Sequence, residues 1–135
     1  MELKNYQKRV LRELDNYMAL LNQTQNINQA YNMHWSQLGI SVGFGGMPPY
    51  NDVLPHVPHV CFKVPTGGGK TFLAASAIKP IFDSMPVSRA KAVVWLVPSD
   101  AILTQSYAAL SNAYHPYRQR LDRDFGGRVE GYSKT

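Results

Sequence analysis

The chain has 135 residues, 44% of them apolar and 17% charged, which suits one folded domain and excludes a largely disordered chain. A formal charge of +5 and a pI of about 9.4 favour an anionic partner such as nucleic acid. No apolar run is long enough to cross a membrane, "MELKNYQKRV" lacks the apolar block of a secretory leader, and the single Cys61 excludes an internal disulfide. A cytoplasmic setting is the expectation.

Leu3, Tyr6, Val10, Leu11, Leu14, Tyr17, Met18 and Leu21 recur at spacings of three and four, with charged residues between them. That spacing predicts an amphipathic helix over 1–21, fading near Asn22. Residues 22–59 show no sustained period. Their Gly- and Pro-rich part, "GISVGFGGMPPYNDVLPHVPH", reads as a long connection.

The character changes after Pro58. Val60–Val64, "VCFKV", is short, apolar and bounded by prolines, which predicts a buried strand with Cys61 as a small apolar member. A helix follows the glycines over "TFLAASAIK", and Pro80 is expected to close it. Ala92–Val97, "AVVWLV", predicts a second buried strand with Trp95 in the core, ended by Pro98. Ser99 or Asp100 can cap the next helix, whose apolar face is Leu103, Tyr107, Leu110 and Tyr114 and whose stop is Pro116. Strand, helix, strand and helix in succession imply an α/β fold with parallel pairing over 60–135. The tail is ambiguous, and "GRVEGY" can be read as a further strand.

Between the first strand and its helix stands "PTGGGKT", Pro65 to Thr71. A phosphate chain needs many hydrogen-bond donors at close range. Gly67, Gly68 and Gly69 remove the side chains that would obstruct the backbone, and a helix start supplies unpaired N–H groups and a positive dipole end. Lys70 adds a mobile cation, and the Thr71 hydroxyl can ligate Mg²⁺. The general phosphate-loop pattern wants glycine where this chain has Val64. A glycine-rich turn beside a surface lysine is the plain alternative, and the strand–loop–helix context disfavours it.

Three stretches together resemble superfamily-two helicase and translocase motors of the DEAD-like group. "VPTGGGKT" resembles motif I, "VVWLVPSDAILTQSY" resembles motif Ia, and "LKNYQKRVL" resembles the adenine-recognition motif whose glutamine falls on Gln7. "PHVCFKVPTGGGKTFLAASAI" looks most like the restriction subunit of type III restriction enzymes. The resemblance covers most of the chain outside 22–57. It implies a RecA-like P-loop NTPase fold, a parallel sheet flanked by helices, here as an incomplete first motor domain. It implies ATP and Mg²⁺ as cofactors, held by Gln7, Pro65, Thr66, Gly67, Gly68, Gly69, Lys70 and Thr71, with Lys70 catalytic. It implies DNA, ahead of RNA, as nucleic-acid partner near Pro98, Ser99 and Gln105, and a modification subunit as a further partner.

An amide side chain such as Gln7 offers the donor and acceptor that an adenine edge requires, though a polar residue on a solvated face fits the spacing too. Ser99 suits a phosphate oxygen or a helix cap equally. ATP hydrolysis also needs an acidic pair, and no Asp-Glu dipeptide occurs. Asp83, Asp100, Asp122 and Asp124 end no predicted strand. The expectation is therefore a piece of a longer motor that is inactive alone. Two other functions compete: a kinase- or GTPase-like phosphate-loop enzyme, and a non-catalytic nucleotide-binding module. His56, His59 and Cys61 lack a fourth zinc ligand, and Arg118, Arg120, Arg123 and Arg128 interleave with acids as a salt-bridged, solvated face would.

Overall fold

The computed structural model describes residues 1–134 and contains five helices among them. α1 (Asn5–Thr24) is the amphipathic helix that the spacing predicts. Its N-terminus is fastened by the Lys4 N–H, which donates to Gln7 Oε1 at 2.8 Å. It ends where Gln25 turns left-handed at φ 52° and donates its N–H to Leu21. Asn26 then caps α2 (Ile27–Gln37) by accepting from the Gln29 N–H at 2.9 Å. The supposed connection over 22–59 thus contains a helix, which lacks a clear apolar stripe of its own. It is held through Ala30, which packs with Tyr17 and Leu20 of α1.

α3 (Lys70–Ser84) lies against α1 through the cluster Leu11, Leu14, Leu73 and Ala77, with Val64 and Ile81 at its margin. Pro80 does not close α3; it sits inside it. Proline removes the N–H that would reach Ser76. The helix continues because packing grips it on both sides of the break: Leu73 and Ala77 before it, then Ile81, and Phe82 against Phe125 at 5.7 Å. α4 (Asp100–Ser111) is capped by Ser99, whose side chain accepts from the Ile102 N–H. α5 (Pro116–Phe125) begins at the proline expected to act as a stop, with His115 Nδ1 accepting from the Tyr117 N–H at 3.1 Å. Proline suits the first turn of a helix because its missing N–H would be unpaired there anyway.

The expected parallel sheet is not there. Among the described residues no strand occurs, and the one β-type contact is an isolated bridge between Val42 and Met47. Neither Val60–Val64 nor Ala92–Val97 pairs its backbone with a neighbour, and residues 128–134 form no strand. The α/β, RecA-like fold is overturned by this helical architecture. A β-prone run becomes a strand only when its N–H and C=O groups meet a second run, and these two do not meet each other. They are not buried either: Val94 is 81% and Leu96 87% exposed, Cys61 is exposed, and Trp95 is half-buried rather than core. Val64, against the α1–α3 cluster, has the deepest setting in its run.

The α1–α3 seam sets the stability prediction. Leu73 is 2% exposed at its centre. Leu73→Ala is expected to cost about 2–5 kcal/mol in urea denaturation, the range for buried leucine truncations. Tyr17 gives a second test. Burial, then Tyr50 and Tyr31, push its phenol from 10.0 up to about 12. The unfolded phenol therefore ionises first, so this contribution to stability is complete below pH 10 and lost as pH rises toward 12. Tyr17→Phe is expected to remove that part of the alkaline slope, measured as the wild-type-minus-variant difference in unfolding free energy.

Candidate phosphate-binding site

The glycine loop is built by the α1–α3 contact. Val64 anchors its start in the apolar cluster. The Gly68 N–H closes a turn on the Pro65 carbonyl at 3.0 Å. Gly69 is the N-cap of α3 at φ 73°, and its carbonyl accepts the first helical bond from the Leu73 N–H at 2.9 Å. Gly67 also has positive φ, 75°, and a methyl group there would meet nothing within 4 Å. The loop is therefore open at Gly67 and closed at the other two glycines.

Val64, Pro65 and Tyr6 close the loop at Gly68, and Gln7 of α1 closes it at Gly69. The Tyr6 hydroxyl donates to the Gly68 carbonyl. Gln7 Nε2 donates to the same carbonyl at 3.1 Å and to that of Gly69 at 3.4 Å. Gln7 is 3% exposed, with its Oε1 already accepting from Lys4, so its amide is turned into the loop backbone. A methyl on Gly69 would lie 2.6 Å from Gln7 Nε2, and one on Gly68 would lie 2.8 Å from the Pro65 carbonyl oxygen. In the sequence Tyr6 reads as part of the apolar face and, beside Gln7, of the adenine-recognition stretch, not as a donor to the loop backbone. The signal was its adjacency to Gln7, one helical position away.

Among the described residues no side chain caps the N-terminus of α3. Its first N–H groups are orphan donors, gathered with Lys70 and Thr71 at the positive end of the helix dipole. Lys70 is exposed and Thr71 half-buried, and Pro65 and Thr66 lie exposed at the loop's entrance. The open space at Gly67 and these unclaimed donors fit a phosphate group.

Thr71 and Gln105 line one cavity of about 420 Å³ between α3, α4 and α5, with Ser106, His115 and Tyr117. Gln105 is thus near the start of α3. Pro98 and Ser99 are exposed at the start of α4, where the Ser99 oxygen is engaged as a cap. A separate cleft of about 450 Å³ between α1, α2 and residues 59–63 is lined by aromatic side chains, among them Tyr17 and Trp35. It does not include the loop.

Three of the four aspartates singled out in the sequence are committed elsewhere. Asp83 pairs with Lys79 at 3.0 Å, Asp122 with Arg118 at 2.9 Å and Asp124 with Arg120 at 2.9 Å, while Asp100 is exposed in the first turn of α4. The expected salt bridges of the arginine-rich segment are present, though Arg118 and Arg120 are half-buried rather than fully solvated. Arg118 also donates to the carbonyls of Leu110 and Val129, tying α4 and the tail to α5. Among the described residues no group of three or more His, Cys, Asp or Glu is placed to hold a metal.

A family model described as "Type III restriction enzyme, res subunit" matches residues 1–135. No curated protein matches, and no solved structure does.

The loop's two positive-φ glycines make a comparative test. Gly67→Ala meets open space and is expected to cost only the left-handed backbone penalty, about 1–2 kcal/mol. Gly69→Ala adds the encounter with Gln7 and should be the more destabilising of the two in urea denaturation.

Proposed function

We propose, from the premise that the chain belongs to the family of type III restriction enzyme res subunits, that it is the ATP-binding part of an ATP-dependent DNA translocase. Family membership supports a helicase-like ATP-binding module. The observation that carries the assignment to specific residues is the uncapped start of α3 beside the open Gly67. Backbone N–H groups at Gly69, Lys70 and Thr71 would hold phosphate oxygens. Lys70 would neutralise charge at the β- and γ-phosphates, and Thr71 would offer its hydroxyl to Mg²⁺. The metal, when bound, supplies charge neutralisation between the phosphates.

The loop is a cradle without a hydrolytic apparatus. Three carboxylates of the C-terminal half are held in ion pairs, and no Asp-Glu dipeptide is present to orient a water. The proposal for this polypeptide alone is nucleotide binding without appreciable turnover. Pro98, Ser99 and Gln105 are proposed to face the DNA backbone, a contact that carries no base sequence and weakens as salt rises. A modification subunit is the protein partner that the family suggests.

Titration with a fluorescent ATP analogue and Mg²⁺ tests the reading. Lys70→Ala is expected to weaken binding at least about tenfold, the loss of one charge-assisted phosphate contact, with the thermal midpoint unchanged because Lys70 is exposed. Equal binding by wild type and variant, or Lys70-dependent hydrolysis at a robust rate, would overturn it.

A further inference from the structure

We infer that Tyr6 is a positioning residue for the phosphate loop: its hydroxyl, bonded to the Gly68 carbonyl, sets the direction of the Gly69 N–H. The inference rests on the nucleotide-site reading and deepens it. In a trans peptide the carbonyl of one residue and the N–H of the next point in opposite directions. The Gly68 carbonyl is turned toward α1, where Tyr6 and Gln7 both donate to it. The Gly69 N–H must therefore point away from α1, and among the described residues no protein group accepts from it.

Glycine makes this control necessary. Gly68 and Gly69 have no Cβ to fix their dihedrals, so the intervening peptide can rotate unless something outside the loop holds it. The Pro65–Gly68 turn bond fixes the Gly68 N–H, and the Leu73 N–H fixes the Gly69 carbonyl. Among the described residues, the peptide between them is held from outside the loop by α1 alone. Tyr6 is suited to that role because its ring is half-buried and its hydroxyl reaches the carbonyl across 62 positions of sequence. The Gln7 amide is 3% exposed and spends its donors on the same backbone, so in this arrangement the pair acts on the triphosphate end rather than on the base.

The test uses the 135-residue chain with MgATP and, separately, inorganic tripolyphosphate, both by calorimetry. Tyr6→Phe keeps the ring and removes only the hydroxyl. It is expected to weaken both ligands by the same factor, about fivefold for one neutral hydrogen bond. Val10→Ala is the packing control, since Val10 borders the same apolar cluster without touching the loop backbone. It should lower the thermal midpoint with little effect on either ligand. A loss for MgATP alone would mean that Tyr6 acts through the base, and would overturn the inference. So would an equal loss of tripolyphosphate affinity in Val10→Ala, which would make the effect mere packing. If wild type binds MgATP and Tyr6→Phe binds it equally well, the inference falls while the nucleotide site stands. If wild type binds neither ligand, the nucleotide site itself falls and takes the inference with it.

Discussion

The seam between α1 and α3 is the contact on which the rest depends. Leu11 and Leu14 meet Leu73 and Ala77 there, and Val64 closes its edge. Burial of these side chains brings the first turn of α1 beside the first turn of α3. That proximity lets two polar side chains, Tyr6 and Gln7, reach the backbone of the glycine loop. Each hydrogen bond contributes on the order of 1 kcal/mol. The apolar cluster is worth several times that, at roughly 1.5–3 kcal/mol for each fully buried large aliphatic side chain. The hydrogen bonds therefore shape the loop, while the apolar seam puts the loop where they can act.

A sequence shows periods and loop chemistry more readily than pairing. α1 was legible because its apolar residues recur with a helical spacing that nothing else explains. The glycine loop was legible because three glycines before Lys70-Thr71 have few other physical uses. The sheet was misread for a definite reason. Val60–Val64 and Ala92–Val97 carry a real local preference for extended backbone, but local preference does not supply a partner, and neither run has one. The prolines misled in a different way. Pro80 and Pro116 are each compatible with two roles, and neighbours distant in sequence choose between them: packing with α1 and Phe125 carries α3 through Pro80, and the His115 cap turns Pro116 into a helix start.

The candidate site was legible in its residue types and less so in their allegiances. Gln7 suggested an adenine reader because an amide offers a donor and an acceptor. Those same two functions are what a helix start and a loop carbonyl require, and Gln7 serves both within the fold. Ser99 shows the same ambiguity, and its side chain accepts from the Ile102 N–H. The role of Tyr6 was hidden because tyrosine counts as apolar in a helical stripe, and its hydroxyl registers only when a carbonyl is placed opposite it.

The loop's geometry does not depend on a sheet. Its start is held by Val64 against two helices, its middle by α1 side chains, and its end by the first hydrogen bond of α3. Phosphate recognition needs aimed backbone donors and a nearby cation, and the start of α3 brings uncapped N–H groups and Lys70 together without a sheet. Hydrolysis makes a different demand: a carboxylate must stand ready to order a water. Asp83, Asp122 and Asp124 are paired with cations one turn away on their own helices, an arrangement that stabilises those helices. On the proposed reading, gripping a triphosphate and cleaving it are separable demands. The first needs a helix start with aimed donors, whereas the second needs a carboxylate positioned beside the attacking water.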